Sequence, residues 1–241
     1  MKIKILRFLS SIGFPVRPIL RYFKPFLLER IKIVRHHRID TLLDIGANAG
    51  QYSMLMRTLK YKGRIISFEP LSTAFARLQK NSGADKNWTI NNFALGDKAE
   101  MATINVSENS FSSSLLDIKQ AHVESAPESN YTHTEEIEVK TLDDVFSQFC
   151  SEKDRVMVKI DTQGFEKNVI DGAAKSLSKV TLLQLEMSLV ELYENEMLFD
   201  EMVAYLKERG FTLISLEPGF SNPNSGELLQ VDGIFVNESM N

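Results

Sequence analysis

Four carboxylates in this 241-residue chain sit at the ends of apolar runs, where a carboxylate can reach a ligand. Asp44 closes Thr41-Leu42-Leu43-Asp44-Ile45 ahead of the turn Gly46-Ala47-Asn48-Ala49-Gly50. Glu69 follows Arg64 to Phe68, Asp161 follows Val156 to Ile160, and Glu186 follows Val180 to Leu185. Glycines between a strand and a helix let a ligand approach backbone that a side chain would otherwise cover. A dinucleotide fingerprint would need glycine at 46, 48 and 51, but positions 48 and 51 are Asn and Gln, and no Gly-Lys-Ser or Gly-Lys-Thr follows the turn. Asp44 repels a pyrophosphate and suits a ligand carrying positive charge, such as the amino group and sulfonium of S-adenosylmethionine. Glu69, one crossover unit later, can accept both hydroxyls of a ribose. The pair points to an adenosine-type ligand without phosphates.

Alternating strands and helices must position these acids. Strands are expected at 41–45, 64–69, 88–95, 156–160, 180–185, 211–216 and 229–236. Helices are expected over 52–59, 71–78 and 197–209, the last stopped by Gly210, and over a stretch with Phe165, Val169, Ile170, Ala173 and Leu177 on one face. This alternation gives a mostly parallel sheet with helices on both faces. The last two strands, joined through Pro218 to Gly226 without a helix, form an antiparallel hairpin. Residues 107–130 are serine-rich and without period, a long loop of the kind that is either functional or disordered, and alternation resumes over 134–140. Thr141 to Asp144 has the shape of a capping box with Thr141 as the cap.

The blocks Asp44-Ile45-Gly46-Ala47-Asn48-Ala49-Gly50, Ser67-Phe68-Glu69-Pro70, Phe93-Ala94-Leu95-Gly96-Asp97, Ser112-Ser113-Ser114-Leu115, Thr141-Leu142-Asp143-Asp144 and Lys159-Ile160-Asp161-Thr162-Gln163-Gly164-Phe165-Glu166 resemble, in order, the FkbM family of S-adenosylmethionine-dependent methyltransferases. The resemblance runs from about Thr41 to Val236. It implies an α/β, Rossmann-like class I methyltransferase fold, a seven-stranded mostly parallel sheet with a C-terminal antiparallel hairpin, here with an N-terminal helical extension. It also implies methyl transfer to a hydroxyl oxygen of a saccharide, a glycolipid precursor or a related natural product. On that resemblance Asp44, Gly46, Asn48 and Gly50 would hold the methionine end of the cofactor, Glu69 the ribose, and Asn92 to Ala94 the adenine.

Such a transfer needs the acceptor oxygen aligned with the sulfur–methyl bond and relieved of its proton. Asp161, with Gln163 and Gly164 in the turn behind it, can be the general base, hold the acceptor, or hold the cofactor amine. Its competing role is the N-terminal cap of the helix that begins near Phe165. Glu186 is the next candidate, and Gln163 completes the catalytic set. Two separated acids do not make a metal site, and no metal is expected. Lys159 inside an apolar strand needs a partner, for which Glu186 is the expected acid. His36 and His37 are expected at the surface, and His122 and His133 as solvated loop histidines within reach of an acceptor. Ser112 to Ser114 offer hydroxyls to a sugar, and Trp88 belongs to the core.

Composition bounds the rest. The chain is 43% hydrophobic and 25% charged, ordinary for a globular protein, and its one cysteine, Cys150, excludes an intrachain disulfide framework and fits a reducing, cytoplasmic setting. The net charge of −4 hides a division. Through Arg38 there are ten Lys and Arg against Glu29 alone, so residues 1–39 form a basic extension and residues 40–241 an acidic methyltransferase domain. The extension, with Phe8, Phe14, Tyr22, Phe23 and Phe26 among its cations, suits either peripheral contact with an anionic membrane or packing as one or two helices with the cations in water. No apolar run approaches the ~20 residues of a membrane span. Two other readings are a non-catalytic membrane-associated module of the same fold and a nucleic-acid methyltransferase. The second is disfavoured because the acidic part would repel a polyanion, so no nucleic-acid partner is expected.

Overall fold

The protein is described by a computed structural model covering residues 25–240. Strands β1 (Thr41–Ile45), β2 (Arg64–Phe68), β3 (Trp88–Asn91), β7 (Val156–Ile160), β8 (Val180–Ser188), β9 (Phe211–Pro218) and β10 (Gln230–Asn237) form one sheet in the order β3-β2-β1-β7-β8-β10-β9. The first five are parallel, and β10 lies antiparallel between β8 and β9, which makes the expected terminal hairpin. The parallel strands read as unbroken apolar runs because both their faces are covered. The register places Asp44 opposite both Ser67 and Lys159, and Ile45 opposite both Phe68 and Ile160. Three strands therefore end level, and Gly46, Glu69 and Asp161 emerge at one edge.

Helices α2 (Gln51–Thr58), α3 (Ser72–Ser82), α5 (Leu142–Phe149), α6 (Glu166–Asp171) and α7 (Phe199–Lys207) connect these strands. Thr141 caps α5 as expected, its hydroxyl accepting from the Asp144 N–H at 3.1 Å. The helix after β7 is shorter than its apolar spacing implies. The chain turns at Gly172, where a side chain would collide with the Gly96 carbonyl.

The stretch 88–95 is not one strand. It breaks at Asn92 and Phe93, and Ala94–Leu95 becomes β4 of a second sheet, in the order β4-β6-β5, with β5 (Glu100–Ser107) and β6 (Tyr131–Lys140). This sheet has its own small core of Ile104, Val106, Ile137 and Val139 with Leu71 and Ala74. The irregular segment begins only at its rim and carries a short helix, α4 (Gln120–Ser125), and a 3-10 turn at Pro127–Ser129.

Helix α1 (Pro25–His36) packs Leu27, Ile31 and Val34 onto the core beside Leu42, Met56 and Ile65. The expectation that the extension keeps its cations in water is wrong at Arg30. This guanidinium is buried and grips the buried Glu217 of β9 with two nitrogens, Nε to Oε1 at 3.0 Å and Nη2 to Oε2. His37 is likewise buried rather than at the surface, whereas His36 is exposed. The rest of the extension, with Phe8, Phe14, Tyr22 and Phe23, lies outside the described residues. Among the described residues no helix is long and apolar enough to cross a membrane.

Replacing Arg30 by Met strands Glu217 without a cation, so urea unfolding should show a loss of about 3–5 kcal/mol. The double change Arg30→Met with Glu217→Met should recover most of it. A double variant as unstable as the single one would mean that the pair is not what holds α1.

Candidate active site

The turn after β1 holds three left-handed residues in five, Gly46 (φ 71°), Asn48 (φ 47°) and Gly50 (φ 82°). At Gly46 a side chain would strike the Asp161 carbonyl, so this position has both a conformational and a steric need for glycine. Gly46 and Ala47 donate their N–H groups to the Phe68 carbonyl at 3.1 and 3.0 Å. Asn48 tolerates its conformation through its own side chain, whose Oδ1 accepts from the Ala49 N–H at 2.7 Å. Its backbone N–H donates to Glu69 Oε2 at 2.7 Å, and the Leu71 N–H donates to Oε1 at 2.9 Å. Glu69 is therefore fixed at the lip of β2, only 4% exposed. Burial pushes its carboxyl up to about 7, against those two bonds that favour the ionised form.

Behind the turn, Asp44 is fully buried, with Oδ2 accepting from the Ser53 hydroxyl at 2.6 Å. Its Oδ1 lies 3.5 Å from the Lys159 ammonium. That ammonium is also 3.1 Å from Asp161 Oδ2 and donates to the Gly46 carbonyl at 3.3 Å. The expected Lys159–Glu186 pair is thus replaced by Lys159 between Asp44 and Asp161. Burial works against the charged amine, but Asp161 and Asp44 outweigh it and hold its pKa above the ordinary lysine value.

Asp161 does not cap the following helix. No side chain caps that helix at Phe165; Glu166 Oε1 instead accepts from the Thr162 N–H of the preceding turn at 2.8 Å. Gln163, at φ 57°, turns its amide back toward the strands. Nε2 donates to Asp161 Oδ1 at 2.7 Å and to Glu186 Oε2 at 2.8 Å, while Oε1 accepts from the Tyr193 hydroxyl at 2.6 Å. Glu186 lies within β8, which runs beyond the expected strand end, and also accepts from Gln230 Nε2 at 3.1 Å. Burial, then the neighbouring Asp161 and Asp232, raise the Glu186 carboxyl well above its usual range.

One cavity of about 360 Å³ joins these groups. It runs from Gly46, Asn48 and Glu69, past Ala94, to Asp161, Gln163 and Glu186, and on to residues of the 109–115 loop, His122, Phe220 and Gln230. Three residues expected at the cofactor do not border it. Asp44 is sealed behind the turn, Gly50 packs toward Leu78 and the buried Trp88, and Asn92 ties its Nδ2 to the Glu69 and Pro70 carbonyls at 2.9 Å each.

The far end was hidden in the irregular segment. Asn48 Nδ2 donates to the Ser110 carbonyl at 2.8 Å, and the Ser114 hydroxyl donates to the Gln163 carbonyl at 2.6 Å, so this loop roofs the cavity on two tethers. His122 is not a solvated loop histidine. It is 4% exposed and stands edge-on to the Tyr193 ring at 5.1 Å. Burial lowers its pKa to about 4, so it is neutral at physiological pH. His133 is exposed and shares a hydrogen bond with the Thr132 hydroxyl. Gln230, Phe220 and Tyr193 had no local signal in the sequence. Only the pairing of β10 with β8 brings Gln230 beside Glu186.

A family model described as Methyltransferase FkbM domain matches residues 44–213. The 2-O-methyltransferase NoeI of Sinorhizobium fredii (strain NBRC 101917 / NGR234) is 26% identical over 165 residues, 65% of this chain and 66% of that protein. Among solved structures, Methyltransferase FkbM from Methylobacillus flagellatus KT is similar with a TM-score of 0.50 and 15% sequence identity, over 81% of this chain and 43% of that one. This chain spans just under two thirds of the length of the first and less than half of the second. The likeness to the second is one of fold.

Lys159→Met leaves two carboxylates at the strand ends without their cation, which should lower stability by about 3–5 kcal/mol at neutral pH. The loss should be read from urea midpoints. A variant as stable as the unaltered protein would show that Lys159 acts through packing alone.

Proposed function

The chain belongs to the methyltransferase FkbM domain family, and on that premise we propose that it is an S-adenosylmethionine-dependent O-methyltransferase acting on a hydroxyl of a saccharide, a glycolipid precursor or a related natural product. The observation that carries this reading is the single cavity bordered by both Glu69 and Asp161. The 2-O-methyltransferase name of NoeI supports oxygen as the methylated atom.

The residues present fit the cofactor. Each Glu69 oxygen accepts one backbone N–H and keeps a lone pair for a ribose hydroxyl. Gly46 offers bare backbone, and Phe68, Ala94, Leu95 and Ile104 form an apolar slot for a base. S-adenosylmethionine supplies an electrophilic methyl group on a cationic sulfonium, and the surrounding carboxylates favour that charge. Asp161 would take the proton of the acceptor hydroxyl, whose oxygen would receive the methyl group that the bound cofactor supplies. Lys159 Nζ, 3.1 Å from Oδ2 of Asp161, holds that side chain in place for this role. Gln163 holds Asp161 and Glu186 at a fixed separation, and a protonated Glu186 can donate to the acceptor. Asp44 acts from behind, by fixing Lys159 and the turn, as a positioning residue. Among the described residues of the extension, the exposed Lys32 and Arg38 offer cations to an anionic membrane on the cytoplasmic side.

Calorimetry with S-adenosylmethionine tests the reading directly. The purified chain should bind it, and Glu69→Ala should weaken binding roughly 10- to 100-fold, the value of a hydrogen bond to a charged group. Asp161→Asn should spare binding and stop transfer. Ribose hydroxyls need the ionised Glu69, and burial places its pKa at about 7. Affinity should therefore rise from pH 6 to pH 8 and then level, while Glu69→Gln should show no such rise. Absence of heat from a folded protein would refute the proposal.

A further inference from the structure

Among the described residues the acids that border the cavity are Glu69, Glu128, Asp161 and Glu186. Among the described residues no lysine or arginine borders it. The nearest buried cation, Lys159, is taken up by Asp44, Asp161 and the Gly46 carbonyl.

Backbone donors are equally committed. In phosphate-binding turns the free N–H groups point at the anion. Here the N–H groups of Gly46 and Ala47 go to the Phe68 carbonyl, that of Asn48 to Glu69, that of Ala49 to Asn48 Oδ1, and that of Gly50 to the Ala47 carbonyl. Among the described residues, a phosphate entering the cavity would meet no lysine or arginine and no free N–H of the 46–50 turn. At an effective dielectric of about 20, each negative charge held about 6 Å from an ionised carboxylate is disfavoured roughly 100-fold. Hydroxyls and amides line the acceptor end instead, through Ser112, Ser129 and Gln230, and the exposed Phe111 ring at the rim offers an apolar face to a pyranose.

From this we infer that the acceptor is an uncharged glycosyl unit already held in glycosidic linkage, not a nucleotide-activated or phosphorylated sugar. The inference rests on the methyl-transfer reading above and adds an order. The reaction that supplies the substrate is glycosyl transfer, and methylation follows it.

The test uses the full chain, S-adenosylmethionine with a trideuterated methyl group, and extracts of cells lacking the gene. The extract is split into a neutral glycan and glycolipid pool and a pool of nucleotide sugars and sugar phosphates. Mass spectrometry should find the heavy methyl in the first pool only. Label in the second pool would overturn the inference while leaving methyl transfer standing. Label in neither would remove the methyl-transfer reading and the inference together. A second measurement probes the electrostatic cause at the rim, away from the reacting groups. Glu128→Lys should keep its affinity for S-adenosylmethionine, yet labelling by this variant should be inhibited by sugar phosphates at concentrations at least tenfold lower than for the unaltered chain. Equal sensitivity would refute the charge argument.

Discussion

One buried ammonium fixes the geometry of the whole site. Lys159 Nζ reaches three oxygens from three parts of the chain: Asp44 at the end of β1, the Gly46 carbonyl in the turn, and Asp161 at the end of β7. An amine so enclosed loses its hydration, and only opposed charges at close range compensate. The two acids need the cation as much as it needs them, so the glycine turn and the strand end that carries Asp161 cannot move independently. The parallel register that sets Asp44 directly opposite Lys159 makes the arrangement possible.

The support extends through the sheet to α1. Lys159 Nζ lies 5.5 Å and Arg30 Cζ 4.9 Å from the centre of the Tyr52 ring, and the Tyr52 hydroxyl donates to Gln184 Oε1 at 2.7 Å. Gln184 in turn donates to Asp232 at 3.1 Å. Burial, its main cause, pushes the Asp232 carboxyl upward, with Arg30 pulling the other way. The helix that looked like a detachable basic leader therefore supplies one of the two cations in the polar layer under the cavity. Charge balance, rather than apolar contact alone, joins the extension to the domain.

Much of this was legible in the sequence, for physical reasons. Strands buried on both faces are written as apolar runs, so the acids that end them stood out, and a left-handed turn announces itself through Gly46 and Gly50. What escaped notice depends on partners that are distant along the chain. Arg30 has the look of a solvent cation because Glu217 comes 187 residues later. Lys159 meets Asp44 and not Glu186 because the order of strands, not their sequence, decides which carboxylate is opposite. Asp44 and Gly50 carry the right pattern yet serve the turn from behind. The second sheet is hard to read from sequence because β5 alternates weakly, with Met101 exposed between Glu100 and Ala102. No local spacing could show that Gln163 folds back at φ 57° to bridge two acids.

The roof of the cavity enters and leaves through an antiparallel pair, with Val106 opposite His133 and Ser107 opposite Tyr131. Its ends are thus neighbours in space, and the length of chain between them places no demand on the main sheet. Asn48 to Ser110 and Ser114 to Gln163 tie it to the turn and the carboxylate bridge, and backbone bonds of Asp117 and Lys119 tie it to Glu194 and Leu192. A segment anchored in this way behaves as an exchangeable cassette. Lineages of this scaffold could trade one acceptor for another by rewriting the roof while the machinery of strand ends beneath it stays intact.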